Sequence, residues 1–287
     1  MTVDLVSEFM FFGGRQITFR HPSVETGAMM QCSVFLPPET PGTAPPALWW
    51  LSGMTCTDQT FAQKGGAQRV ASELGLALIM PDTSPRGFGL DGAPVPDGQD
   101  GEFDLGQGTG HYVDATEAPW ATNYRMYTYV AQELPGVIAD TFFVDLERQA
   151  ISGDSMGGHG ALMVGLKNPG RFSSISALAP LVSPSRSPLG RKAFSHYLGA
   201  DEAAWRPFDA TSLVEDGARS SEILIDQGLA DAWLETDLLT GTFERACAMA
   251  GQPATVRYQA GYGHGFEFIS TFVEDHLRWH AHRLGMG

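Results

Sequence analysis

The chain is short of cysteine, short of basic residues and without long apolar runs, and each shortage closes off a class of protein. Its 287 residues include three cysteines, Cys32, Cys56 and Cys247. Three scattered thiols build neither a disulfide framework nor a zinc site, so reduced cysteines and a cytoplasmic location are expected. Lysine and arginine together number 18 against 33 acidic residues, a formal charge of −15. A nucleic-acid binder needs a basic stripe to neutralise phosphates, and this composition argues against one. No stretch approaches the ~18 unbroken apolar residues of a membrane span. The N-terminus, Met1-Thr2-Val3-Asp4-Leu5, has no basic region leading into an apolar run, so no signal peptide is expected. There is no internal repeat, low-complexity tract or linker, and no His-Glu-x-x-His or similar ligand spacing, so neither a metal nor an organic cofactor is implied.

What is present is an alternation of short apolar strands and small-residue helices. The hydrophobic fraction of 43% is that of an ordinary globular chain. A chain of this length can form one domain over 1–287 with a core large enough to need no staples. Gln16–Arg20 and Gln31–Leu36 alternate polar and apolar and read as an antiparallel entry, punctuated by His21-Pro22-Ser23 and Pro37-Pro38. Ala47–Leu51, Leu76–Met80, Ser174–Leu178, Glu222–Asp226 and Ala254–Tyr258 read as strands, the first two continuously apolar as buried parallel strands are. Gln149–Ser152 is a shorter one. Helices are expected over Gln63–Leu74, Tyr124–Ile138, Gly160–Leu166 and Phe243–Ala250, with a last one starting near Glu267 or Phe268. Pro180 to Pro188 reads as a break, and Arg191 to Asp209 as less regular. This order implies an α/β fold, a mostly parallel central sheet with helices on both faces. The Gly-, Pro- and Asp-rich stretch from Ser84 to Gly110 is a long loop after a strand end, where open α/β sheets place ligands.

The chemistry concentrates at Ile151-Ser152-Gly153-Asp154-Ser155-Met156-Gly157-Gly158-His159-Gly160. Gly153 to Gly157 fits Gly-x-Ser-x-Gly, a strand-to-helix elbow that forces its serine into a strained turn at a helix N-terminus. Two partners follow strands further on, Asp231 and then His264, in the chain order Ser, acid, His used by α/β-hydrolases. A serine hydroxyl is a poor nucleophile near neutral pH and needs a base to take its proton. His264, between Gly263 and Gly265 and after the last strand, suits that role better than its seven competitors. His276, His280 and His282 are expected to be solvated on the final helix, and His159 to pack or hydrogen-bond locally. His21 and His111 are placed in loops, and His196 in the irregular segment. Asp226 is the rival acid, but it ends a strand, whereas Asp231 lies deeper in the following loop. Ser52-Gly53-Met54-Thr55-Cys56-Thr57-Asp58 follows an early strand at the position of an oxyanion loop, making the backbone N–H groups of Met54 and Met156 the candidate donors.

These tracts and several others resemble the S-formylglutathione hydrolase (esterase D) family of serine thioesterases over nearly the whole chain. The matches are Leu51–Asp58, Tyr112-Val113-Asp114-Ala115-Thr116, Pro119-Trp120, Asn123–Tyr127, Ser155–Leu162, Lys192-Ala193-Phe194, Tyr197-Leu198-Gly199, Ile225–Gly228, and Gly261-Tyr262 with His264. The resemblance implies Ser155 as nucleophile, Asp231 as acid, His264 as base, and Cys56 as a thiol near the site. It implies hydrolysis of a glutathione thioester to formate and glutathione, with a general short-chain carboxylesterase as the alternative, and it suggests a homodimer. Arg191 and Lys192 are candidate anchors for glutathione carboxylates. An inactive fold kept as a binding module is disfavoured because no triad member is missing. The chain departs from the family pattern at Asp154, where a histidine is usual, at Gly263, where an aspartate is common, and in a glycine-rich loop from Gly87 to Gly110 that lacks the family's tryptophan.

Overall fold

A computed structural model describes residues 3–98 and 103–286. Residues 99–102 of the long loop, with Met1, Thr2 and Gly287, lie outside the described part. The strands are β1 Asp4–Phe11, β2 Gly14–Pro22, β3 Met29–Leu36, β4 Pro46–Leu51, β5 Ala77–Pro81, β6 Asp145–Gly153, β7 Ile175–Leu178, β8 Ile223–Gly228 and β9 Ala254–Gln259. They form one sheet in the order β1-β2-β3-β5-β4-β6-β7-β8-β9. The pairs from β1 to β3, and β3 with β5, are antiparallel, and every pairing from β5 through β4 to β9 is parallel. The antiparallel entry is longer than the sequence suggests, with β1 added and His21-Pro22 inside β2 rather than ending it.

The helices are α1 Asp58–Lys64, α2 Gln68–Leu74, α3 Met126–Thr128, α4 Leu134–Thr141, α5 Met156–Lys167, α6 Pro188–Leu198, α7 Ala210–Glu215, α8 Thr240–Ala250 and α9 Phe266–Arg283. They cover both faces, and the strand alternation shows why both must be covered. Trp49 and Leu51 enter the core shared with α5, α7 and α8, through residues such as Leu162, Val214 and Phe243. Leu48 and Trp50 enter the opposite core, with Phe61 of α1, Val70 of α2 and Phe268, Val273 and Leu277 of α9. Each strand therefore buries alternate side chains in different layers, as a parallel sheet requires. A separate aromatic cluster, Trp120, Tyr124, Phe194, Tyr197 and Trp205, pins the middle segment to α6.

Four expectations are corrected. Gln63–Leu74 is two helices, because the chain turns through Gly65 and Gly66, the latter at φ +70°. Tyr124–Ile138 is a short helix joined to α4 through a π-turn at Tyr129–Glu133, next to Pro135, which has no N–H to donate. The segment expected to be irregular contains α6, started by the Ser187 side chain accepting the Gly190 N–H and by Pro188 in the first turn. Finally, His276 and His280 are fully buried, while His282 is exposed. They share one face of α9 with Phe268, Ile269, Val273, Leu277 and Ala281.

A polar chain under α9 explains that burial. A carboxylate can only accept, so His276 Nε2–H donates to Asp226 Oδ2 (2.8 Å) and its Nδ1 accepts the Ser176 hydroxyl (2.8 Å). Ser176 Oγ in turn accepts from His280 Nε2–H (2.7 Å), and His280 Nδ1 accepts from Ser174 (2.7 Å). Burial holds both imidazoles below the usual histidine pKa, so they are neutral near pH 7.

Candidate active site

The site sits where the sheet topology splits. From β4 the chain goes to β5 on one side, then returns to β6 on the other, which leaves a crevice at the carboxyl ends of β4 and β6. The loop from Ser52 leaves β4 there, and the elbow leaves β6. Ser155 has φ 54° and ψ −121°, a backbone conformation that costs energy in any residue with a Cβ. Its N–H donates to Leu178 O (3.0 Å), and the Asp154 N–H donates to Leu51 O (3.2 Å), so flanking strand ends hold the turn. Gly157 cannot carry a side chain: a Cβ there would lie 1.9 Å from Leu51 O.

Two loops from β8 and β9 complete the constellation. The Ser155 hydroxyl donates to His264 Nε2 at 2.9 Å, and His264 Nδ1–H donates to Asp231 Oδ2 at 2.6 Å. The carboxylate thereby selects the tautomer that leaves Nε2 free to accept a proton. Asp231 is itself fixed, with the Trp233 N–H on Oδ1 (2.9 Å) and Gln227 Nε2 on Oδ2 (3.3 Å). Burial alone would raise the Asp231 pKa, but the hydrogen bonds and charge of His264 outweigh it, and the carboxyl stays below its ordinary value. Asp226, the rival acid, is engaged by His276, Arg257 and Gln259 and makes no bond to His264.

A cavity of about 360 Å³ opens over this chain, lined among others by Gly53, Met54, Cys56, Asp154, Ser155, Trp233 and His264. The amides of Met54 and Met156 donate no hydrogen bond among the described residues. The Met54 loop is held from outside. Thr55, at φ 63°, donates its N–H to Gly108 O (2.9 Å), and Cys56 O accepts from Thr83 Oγ1 (2.6 Å) and Arg86 Nη2 (2.8 Å). The 84–110 loop is thus tied to the site through its described residues, and Phe103 lines the cavity.

Asp154 has a definite place beside the serine. Its two oxygens accept from Trp50 Nε1 (3.1 Å) and from the Gly53 N–H (3.2 Å), linking β4 to the start of the Met54 loop. Burial raises its pKa to about 6, against the opposing charge of His264. Cys56 is half-buried, and burial together with the Asp154 charge pushes its thiol up to about 12. The thiolate that would make it nucleophilic is therefore scarce at neutral pH. A larger cavity, about 650 Å³, lies by β1 and β2 and contains none of these groups.

Comparison with known proteins decides the family. A family model described as "Putative esterase" matches residues 23–279. S-formylglutathione hydrolases of Paracoccus denitrificans and Mus musculus are 47% and 49% identical to this chain, each over 99% of both chains. The solved S-formylglutathione hydrolase of Agrobacterium tumefaciens superposes with a TM-score of 0.94 at 48% identity, covering 98% of this chain and 100% of that one. The chain belongs to the S-formylglutathione hydrolase family. Its fold is the α/β-hydrolase fold and it is a hydrolase.

Against that family frame, the structure brings Ser155, Asp231 and His264 into one hydrogen-bonded chain and sets Met54 and Cys56 in the same cavity wall. It does not bring the suggested glutathione anchors there. Arg191 pairs with Glu202, and Lys192 with Asp104 at 2.9 Å. His159 is buried in α5, and its Nε2–H donates to the backbone carbonyl of His111, 48 residues away (3.0 Å). The cavity residues missed from sequence are Thr60, Lys64, Phe103, Trp233, Phe266 and Ile269. Trp233 alone had a local signal, standing two residues after Asp231, where an aspartate side chain commonly accepts the backbone N–H of a turn.

Proposed function

We propose that this chain, acting as one α/β-hydrolase domain in the cytoplasm, hydrolyses S-formylglutathione to formate and glutathione by a Ser155–His264–Asp231 triad. The observation that supports it most is the unbroken hydrogen-bonded run from the strained serine to the buried aspartate, in a chain this similar to enzymes of that name. Ser155 Oγ attacks the formyl carbon as His264 Nε2 takes the hydroxyl proton. Asp231 stabilises the imidazolium without itself taking the proton. The Met54 and Met156 N–H groups meet the negative charge that develops on the formyl oxygen. Collapse of that intermediate breaks the C–S bond, and His264 returns its proton to the departing thiolate. Water, deprotonated by His264, then attacks the formyl-Ser155 ester, and formate leaves as Ser155 regains its proton.

A formyl group offers almost no binding surface, so the glutathione portion must supply the binding energy that orients the thioester. The purified protein, assayed with S-formylglutathione and with short p-nitrophenyl esters, is expected to favour the thioester in kcat/KM. Turnover of esters alone would refute the thioesterase reading and leave a short-chain carboxylesterase. Failure of a folded sample to label with a fluorophosphonate would refute the serine mechanism.

A further inference from the structure

The charge of the chain is strongly negative, yet the ground next to the catalytic cavity is not. A second cleft of about 700 Å³ adjoins the cavity and shares Thr60 and Lys64 with it. Among its described lining residues are three cations, Arg20, Lys64 and Arg86, against one carboxylate, Asp82. Arg86 and Asp82 neutralise each other through two close contacts, Nε to Oδ2 at 2.9 Å and Nη2 to Oδ1 at 3.0 Å. That leaves Arg20 and Lys64, from β2 and the end of α1, in no ion pair among the described residues, with Asp4 of β1 standing opposite Arg20 in the strand register. Arg20 Nε donates to the neutral Gln31 (2.9 Å), and Lys64 Nζ stands 5.7 Å from the centroid of the Phe266 ring.

Most other exposed arginines do have a carboxylate: Arg15, Arg69, Arg125, Arg186, Arg206 and Arg278 are examples. In a chain with 33 acidic residues to 18 basic ones, two unpaired cations in one cleft beside the nucleophile form a local positive field. The nearby Asp58 carboxyl is buried behind the cleft, held by Gln31 and Ser33, with burial raising its pKa to about 6. Lys64 is also the one cation among the described residues lining the Ser155 cavity. It marks the passage from a small chamber suited to an acyl group to a wider chamber edged with Gln31, Gln59, Gln63 and Thr57 amides and hydroxyls.

We propose that the Arg20–Lys64 cleft binds the carboxylate-bearing arm of the thiol leaving group, so that an anionic acyl-thiol is anchored there while its acyl carbon reaches Ser155. This rests on the thioesterase reading above and assigns the leaving-group side of its substrate. Arg191 and Lys192, already paired, play no part in it.

Charge reversal at exposed positions tests this with little risk to folding, which melting curves check. The ratio of kcat/KM for S-formylglutathione to that for p-nitrophenyl acetate is expected to fall ~10-fold in Lys64→Glu and ~3-fold in Arg20→Glu, because reversal removes the attraction of a partly exposed pair and adds a repulsion. Added salt should lower the wild-type thioester rate more than the ester rate. Reduced glutathione should inhibit wild-type ester hydrolysis competitively, and more weakly in Lys64→Glu. A wild type that consumes the thioester while both variants keep the same ratio overturns the cleft and leaves the thioesterase standing. A wild type that consumes only esters overturns the thioesterase. In that case, glutathione inhibition weakened by Lys64→Glu would still support the cleft, and no inhibition would overturn it as well.

Discussion

Two Asp–His–Ser chains coexist in this molecule, built from the same groups at nearly the same distances. In one, Asp231, His264 and Ser155 are linked at 2.6 and 2.9 Å. In the other, Asp226, His276 and Ser176 are linked at 2.8 and 2.8 Å. Hydrogen-bond geometry therefore does not distinguish a reactive serine from a structural one. What differs is the setting. His264 keeps a quarter of its side chain exposed and faces a cavity, whereas His276 and Asp226 are wholly buried. Ser155 stands in a strained turn at the head of α5 with unengaged amides nearby, whereas Ser176 is in mid-strand and its oxygen is shared with Ser152 and His280. The first chain is assembled from loops at strand ends. The second is a seam that fastens α9 to β7 and β8, and α9 begins two residues after His264. It braces the loop that carries His264 from behind.

Substituting the matching serines should separate the two chains most widely. Ser155→Ala is expected to lower kcat by ~10⁴-fold or more while leaving the melting temperature nearly unchanged. Ser176→Ala should keep kcat within ~3-fold but lose ~2 kcal/mol of unfolding free energy, because buried imidazole nitrogens lose partners. Steady-state kinetics beside urea unfolding reads both. Equal losses of kcat would mean the buried seam is not merely structural.

The acids come next. Asp231→Asn should cost ~10³-fold or more in kcat, since an amide no longer enforces the reactive tautomer. Asp226→Asn should instead destabilise the fold by ~3 kcal/mol, because His276 and Arg257 lose their buried anion. Burial opposes ionisation of Asp226, but hydrogen bonds from His276, Arg257 and Gln259 outweigh it and hold its pKa at about 2. Its stabilising contribution is therefore full above the unfolded value near 4 and lost as pH falls through about 2.

The buried imidazoles should give a smaller effect with the acid sensitivity at milder pH. Their folded pKa values are lowered, so the unfolded chain binds more protons below ~6.5 and stability falls as pH drops from there. Replacing His280 with Gln should flatten the wild-type slope of unfolding free energy between pH 6 and 5 by ~1 kcal/mol per unit. Urea titrations at the two pH values measure this, and an unchanged slope would mean His280 is already protonated in the fold.

The smallest effect concerns the neighbour of Ser155. Burial raises the Asp154 pKa to about 6, against the opposing charge of His264. Asp154→Asn, which cannot ionise, should remove the part of the kcat/KM pH profile that follows Asp154 through a pH of about 6. It should also lower the rate less than ~10-fold, through loss of one acceptor for Trp50 or Gly53. An unchanged pH profile would show that the loop clamp, not the charge, dominates.

Much of this was legible along the chain because it is carried by local signals. The elbow, Asp231 and His264 each follow a strand within a few residues, and short apolar runs betray the strands. The preference for Asp231 over Asp226 came from depth in the loop and from the family resemblance; in the structure Asp231 bonds His264, while Asp226 is committed to His276 and Arg257. The solvated reading of His276 and His280 failed because they are polar residues on a buried face, and their partners, Ser174, Ser176 and Asp226, are 50 to 106 residues away in sequence. The Arg20–Lys64 cleft was invisible for the same reason, as was the pairing that disqualified Arg191 and Lys192.

The amino-acid sequence by itself determined the alternation of strand and helix, the strained serine turn and the chain order Ser155, Asp231, His264. Backbone sterics and hydrophobic period act over neighbouring residues, so these needed no fold to be read. Only the tertiary structure decided which histidine meets water and which is sealed, and where unpaired positive charge gathers in an acidic chain. Burial and electrostatic field are sums over groups that the chain brings together from far apart, and no local stretch contains them.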